Sequence, residues 1–141
     1  MLQKTLFFNE LNLDNDGSDQ FERDRFILST AHNSALFHAC LAERGLMPIS
    51  DLKTYCEDGS VLEINVSERL GKYVEATCGS LGQGLSVAQG MALSAIRRRS
   101  KSRFYVILGD GELQEGQTWE AILSAASWDV SNLCLIVDYN G

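Results

Sequence analysis

The sequence predicts an α/β fold in which a parallel sheet is flanked by helices, and three observations carry that reading. Residues 104–108 and 133–137 are short, continuous apolar runs with enough aromatic and β-branched side chains for parallel strands buried on both faces. Residues 115–128 between them have helical character, and a strand–helix–strand crossover of this length is a right-handed βαβ unit. Each run closes on a glycine turn, Gly109-Asp110-Gly111 after the first and Asn140-Gly141 after the second.

The remaining elements follow in chain order. Leu6-Phe7-Phe8 is a short apolar stretch leading into a polar region rich in Asn, Asp and Gly. Phe26-Ile27-Leu28 is too brief for periodicity to classify. Over 32–43 the spacing of Ala35, Leu36, Ala39, Cys40 and Ala42 is helical, and Gly45 is its stop. Pro48 opens a second helix to about Tyr55, placed where its missing N–H does no harm. Residues 56–78 are polar and irregular. The glycine loop Gly79-Ser80-Leu81-Gly82-Gln83-Gly84 then leads into a helix ending near Arg99, with Leu85, Ala88, Met91, Ala92, Ala95 and Ile96 on one side. Trp119 and Trp128 are expected to pack between helix and sheet.

Bulk composition narrows the function classes. A chain of 141 residues that is 45% hydrophobic has the material for one packed domain. A net charge of −7 argues against a nucleic-acid partner. The dense basic run, Arg97-Arg98-Arg99 with Lys101 and Arg103, falls at a helix end where the dipole favours cations. Four cysteines without Cys-x-x-Cys spacing, with only two histidines, do not suit a zinc site. Cys40 and Cys134 lie in apolar runs and read as small core residues. No signal peptide is evident and the apolar runs are too short to span a membrane, so a reducing, cytoplasmic setting is the default.

In an open parallel sheet, ligands gather at the carboxyl ends of the strands. Adjacent strands would bring Asp110 and Asn140 within reach of one ion. A carboxylate and an amide oxygen, completed by phosphate oxygens and water, make a magnesium-like shell. Flanking glycines let the backbone approach a phosphate, and the following helix directs N–H groups at it. On its own, Gly109-Asp110-Gly111 is more simply a capped strand-to-helix turn. The Asn at the equivalent point of the next strand is what favours an ion. The 79–84 loop fits neither a Walker nor a dinucleotide pattern, since no Lys-Ser/Thr follows it and no apolar strand precedes it.

Four segments together carry a family resemblance: Asp24-Arg25-Phe26-Ile27-Leu28-Ser29 with His32; Gly79-Ser80-Leu81-Gly82-Gln83-Gly84-Leu85-Ser86; Gly109-Asp110-Gly111-Glu112-Leu113-Gln114-Glu115-Gly116-Gln117-Thr118-Trp119-Glu120-Ala121; and Asp138-Tyr139-Asn140. In this order they resemble transketolase, most closely the amino-terminal, diphosphate-binding section of the split bacterial type. The resemblance implies a partial thiamine-diphosphate-binding fold, with residues 1–141 as a single, apparently truncated diphosphate-binding domain. It implies thiamine diphosphate held with Mg, Asp110 and Asn140 being the metal ligands. Gly79, Ser80 and Leu81 would line the thiamine, while Gly111 and Asn140 would meet the cofactor at the diphosphate. His32 would face cofactor and donor substrate, and Glu115 would lie near a subunit interface between two active sites. Glu115 reads equally as a first-turn helix carboxylate, and a lone histidine is more often a helix-start or core residue. The implied reaction transfers a two-carbon ketol unit between sugars or sugar phosphates. It would need a pyrimidine-binding transketolase half, from a separate chain or a missing segment, in a dimer or heterotetramer. No nucleic acid and no membrane is implied.

The chain departs from that family in three places. No Gly-His-Pro helix precedes Leu6-Phe7-Phe8. Residues 61–68, Val-Leu-Glu-Ile-Asn-Val-Ser-Glu, stand where a second Gly-His-Pro stretch is expected, so a sugar-touching histidine is missing. The sequence stops at Gly141, short of the full sheet and of the half that carries the activating glutamate. A sheet cut there exposes an edge and an apolar face that need a cover. Turnover by this chain alone is therefore not expected. The alternative reading is a non-catalytic homologue or fragment with an assembly or regulatory role. A 2-oxo acid dehydrogenase type of thiamine enzyme is disfavoured by the run 112–120.

Overall fold

The structure, a computed structural model, describes residues 2–13 and 22–139. Its centre is three parallel strands in the order β1 (Arg25–Leu28), β2 (Phe104–Gly109) and β3 (Leu133–Asp138). Arg25 lies opposite Phe104, and Phe104 opposite Leu133, with the second pairing continuing to Gly109 opposite Asp138. All three carboxyl ends therefore lie along one edge. The two expected strands are present, each one residue longer than its apolar run. β1 is the segment that periodicity could not classify, because four residues are too few to show a repeat.

Alternation along the strands sends side chains to two cores. Phe26, Leu28, Tyr105 and Ile107 point to one, with Phe7, Phe37 and Leu41. Ile27, Phe104, Val106 and Leu108 point to the other, with Leu85, Ala88, Ala92, Ala95 and Ala121. The first core is covered by α1 (Leu2–Thr5), its π-helical continuation Leu6–Glu10, and α2 (Ser34–Glu43). The rings of Phe7, Phe26 and Phe37 meet there at centroid distances of 5.1–5.7 Å. The second core is covered by α3 (Gln83–Arg97) and α4 (Gly116–Ser127). Ala88 and Ala92 have no exposure, so α3 approaches β2 closely through small side chains. Helices on both faces of a parallel sheet give the expected α/β class.

Several local expectations need correction. β2 is buried from Phe104 to Leu108, but β3 is an outer strand of the described sheet and its residues are half-buried or exposed. Cys134 on β3 is accordingly only partly buried, whereas Cys40 is in the core. The helix expected from residue 32 begins with a 3-10 turn, Ala31–Asn33, and becomes α-helical at Ser34. Of the residues with helical spacing, Cys40 and Ala42 are buried, whereas Ala35 and Leu36 are exposed. Phe37 and Leu41 face the sheet, Ser34 and His38 are also buried, and Leu36 is exposed, because α2 is covered on a second side by residues 49–64. The segment after Pro48 is a 3-10 helix, Ile49–Thr54. α3 stops at Arg97, with Arg99 in the left-handed region at φ +59, and Ile96 is exposed. No helix among the described residues is long and apolar enough to cross a membrane.

Candidate functional site

Three loops share the carboxyl edge of the sheet. β1 runs into Ser29-Thr30 and the short turn carrying His32, which is exposed. β2 runs into Gly109-Asp110-Gly111, where Asp110 is half-buried at the start of a 3-10 turn, Asp110–Gln114. The glycine loop before α3 presents Gly79, Ser80 and Leu81 to solvent and is tied to α4 by Gln117, whose Nε2 donates to the Leu81 carbonyl at 2.6 Å. The register puts Asp138 beside Gly109, so the residues after β2 and β3 leave from paired strand tips. Asn140 and Gly141 lie outside the described residues. Glu115 caps the start of α4, half-buried, its carbonyl accepting from the Thr118 N–H at 3.1 Å. That position suits the helix dipole and leaves the interface reading of Glu115 open.

The group that joins these loops is Glu112, to which the sequence motif around it assigned no role. Its side chain is 1% exposed. Oε1 accepts from the Ser29 hydroxyl at 2.5 Å and from the Gly82 N–H at 2.9 Å. Oε2 accepts from the Gly109 N–H at 2.9 Å. A buried carboxylate is tolerable only when so satisfied, and donors to a charged oxygen form the stronger hydrogen bonds. The one local signal was spacing: a Glu three residues past a helix cap reaches back to the cap N–H. The bonds to Ser29 and Gly82 had no such signal.

Two glycines of the 79–84 loop serve packing. Gly82 adopts φ +80, and a Cβ there would lie 2.6 Å from Thr118 Oγ1. A Cβ on Gly84 would come within 2.6 Å of Ser29 Oγ and 2.9 Å of its Cα, so α3 sits directly against the end of β1. Gly111 is different, since a Cβ there would meet nothing within 4 Å. Space beside that backbone is open.

The segment 61–68, where the expected histidine motif is missing, lies against this edge. The Val66 N–H donates to the Ala31 carbonyl at 3.2 Å, next to His32. Asn65 is exposed, and its Nδ2 would lie 3.7 Å from a Cβ on Gly79. Cys78, just before the loop, is buried, and its thiol is pushed up to about 11 by burial first and then by Glu112 and Glu68. It stays a neutral thiol, unsuited to act as a nucleophile. Among the described residues no three His, Cys, Asp or Glu side chains cluster as a metal site. A shell made of one carboxylate, one amide and ligand phosphates is of another kind.

The tryptophan expectation fails. Trp119 is 50% and Trp128 59% exposed, and the Trp119 indole N–H donates to the Leu113 carbonyl at 2.8 Å. α4 meets the sheet side through Thr118 and Ala121 and turns Trp119 and Leu123, one turn apart, outward.

Over residues 1–141 the sequence matches the family described as transketolase, thiamine diphosphate binding domain. The chain belongs to the transketolase family. This transketolase-family chain is 41% identical over 136 residues to an apulose-4-phosphate transketolase subunit of Actinobacillus succinogenes, a match covering 96% of the chain and 49% of that relative. It is 38% identical over 135 residues to a 6-deoxy-6-sulfo-D-fructose transketolase subunit of a Clostridium species, with coverage of 96% and 49%. It thus spans about half the length of these relatives, each of which is named as a subunit. A solved transketolase from Leishmania mexicana superposes with a TM-score of 0.87 at 30% identity, covering 95% of this chain and 22% of that one. A Pichia stipitis transketolase in complex with sedoheptulose 7-phosphate gives 0.80 at 34% identity, covering 85% and 19%. The amino-terminal transketolase section expected from the sequence, and its partial α/β thiamine-diphosphate-binding fold, are borne out.

Proposed function

We propose that residues 1–141 form the diphosphate-binding unit of a transketolase-like transferase that moves a two-carbon ketol unit between sugars or sugar phosphates. The observation that carries this reading is the pairing of Gly109 with Asp138. In the sequence Asp110 comes one residue after Gly109 and Asn140 two after Asp138, and the proposal has their carboxylate and amide share one magnesium ion. The described part of the donor set supports this: Asp110 is half-buried, no atom lies within 4 Å of a Cβ built on Gly111, and Gly79, Ser80 and Leu81 are accessible to line the thiamine. When bound, thiamine diphosphate supplies the carbanion chemistry, while the protein holds and orients it. His32, exposed past β1, is the residue proposed to face cofactor and donor. Glu115 is proposed to lie at the interface between two active sites.

A companion is part of the proposal. The relatives named as subunits support a pyrimidine-binding half on a separate chain or segment, assembled as a dimer or heterotetramer. The exposed apolar residues of α4 and the half-exposed β3 are surfaces that a further segment or another chain would cover. The cytoplasm is the proposed setting, where four free thiols stay reduced.

Titration of the protein and its companion with thiamine diphosphate, with and without magnesium, tests the reading. Magnesium-dependent binding that is lost in Asp110→Ala is the expected result. No binding by wild type, or the same binding by Asp110→Ala, would sink it. The non-catalytic reading is favoured by one observation, that Asn65 and not a histidine stands beside Gly79. Cofactor binding without ketol transfer from xylulose 5-phosphate, in the complete assembly, would select it.

A further inference from the structure

We propose that Glu112 is a positioning residue that sets the mutual spacing of the three cofactor-facing loops. The inference rests on the function proposed above and assigns a residue to that same site. Each loop gives the carboxylate one donor: Ser29 Oγ from the loop that carries His32, Gly82 N–H from the loop that carries Ser80 and Leu81, and Gly109 N–H from the turn that carries Asp110. Sequence separations of 83 for Ser29 and 30 for Gly82 make these bonds tertiary ties, not local caps. A second tier locks the carboxylate in place. Thr118 Oγ1 donates to the Glu112 carbonyl at 2.7 Å, and the same hydroxyl sits against Gly82.

At 1% exposure Glu112 touches no ligand, so it acts through the loops it joins. Three donors converge on two oxygens, which only a carboxylate can satisfy. A glutamine at this position would turn an amide N–H₂ against one of the backbone N–H groups. The arrangement has a further consequence. Gly82 is the cap of α3, and its N–H is already bound to Glu112. One N–H at the start of α3 is thus taken by an internal carboxylate.

Glu112→Gln and Ser29→Ala, each in the full protein with its companion subunit, test the role by two readouts. Thiamine diphosphate with magnesium is titrated at a temperature where both variants are folded, and amide exchange is followed at Gly82 and Gly109. Loss of an outer residue that orients a ligand site weakens binding by roughly 10–100-fold, and Glu112→Gln is expected in that range. Ser29→Ala should weaken binding by a smaller factor, and the Gly82 and Gly109 amides should lose protection together in both variants. A residue that only stabilises the fold lowers the melting temperature and leaves the dissociation constant of the folded protein unchanged. Binding within about twofold of wild type in the folded variants would overturn the proposal. So would loss of protection at one loop alone. Should Glu112→Gln not fold, Ser29→Ala decides. Failure of wild type to bind the cofactor removes the function proposal instead, and the exchange measurement still decides whether Glu112 couples the loops.

Discussion

Replacing Gly82 with alanine forces a methyl group into space already held by α4. The added Cβ would lie 2.6 Å from Thr118 Oγ1, 3.0 Å from Gln117 Cγ and 3.3 Å from Glu115 Cβ. The glutamine stem can swing away. Thr118 cannot, because it has no exposure and its hydroxyl is bonded to the Glu112 carbonyl. The left-handed conformation at φ +80 costs a non-glycine residue about 1–2 kcal/mol. Overpacking of this severity costs about 1–3 kcal/mol. Together these give roughly 2–5 kcal/mol, a large part of the total stability of an ordinary domain.

Gly111→Ala is the control, since no atom lies within 4 Å of its added Cβ and its φ is not in the left-handed region. It should change stability by less than about 0.5 kcal/mol while weakening thiamine diphosphate binding. For a unit of this size 1 kcal/mol corresponds to about 2–4 °C, so Gly82→Ala should lower the melting temperature by roughly 4–20 °C. Thermal and urea unfolding followed by circular dichroism, with cofactor titration on the same samples, separates the two roles. A melting temperature for Gly82→Ala within about 2 °C of wild type would refute the packing account. Equal destabilisation by Gly111→Ala would refute the distinction between the glycines.

His38 and the cysteines give two further tests. Among the described residues neither ring nitrogen of His38 has a partner, and burial lowers its pKa below the usual 6.5. The unfolded chain then takes up the proton more readily than the native one. The stability is fully present above about pH 6.5 and falls, by up to about 1.4 kcal/mol per pH unit, as the pH drops towards the native value. His38→Phe should make the urea-unfolding free energy less dependent on pH below 6.5, and identical slopes would contradict the assignment. Among the thiols, Cys56 is exposed, whereas Cys78 is buried with its pKa pushed up to about 11. At about pH 8 only on the order of a thousandth of Cys78 is thiolate, so iodoacetamide should label Cys56 well before it. Early labelling of Cys78, seen by peptide mapping, would mean that the native state opens at this loop.

Much of the fold was legible because its signals are local. β2, α4 and β3 each contain enough residues for an apolar run or a helical period to show, and Gly109 and Asp110 punctuate the handover between them. β1 was not legible, since at four residues its strand character comes from pairing with β2. Burial around α2 is a related case. A helical period identifies which residues share a face, but two different neighbours bury Phe37 and Ser34 on two different sides. Trp119 and Trp128 show the same limit on α4. Their size marks them as groups that want cover, but not what provides it, and among the described residues they stay half open to solvent.

The site divides along the same line. Asp110 could be named from its place after a strand, because a parallel sheet puts ligand groups at that edge whatever the details of packing. Glu112 could not be given its role, because what distinguishes it is convergence. Ser29 is 83 residues away and Gly82 is 30 away, and neither carries a mark that it will donate to that carboxylate. Residues that contact a ligand directly tend to recur in recognisable motifs, since the ligand fixes the chemistry. Residues that hold those contacts in register are fixed by the surrounding fold, so Gly84 and Ser29 have meaning only as a pair: the glycine leaves room for the serine that reaches Glu112. It follows that Gly84→Ala should loosen the same carboxylate from a position no cofactor touches. A rise in Gly109 amide exchange in that variant is the sign that the three loops move as one unit.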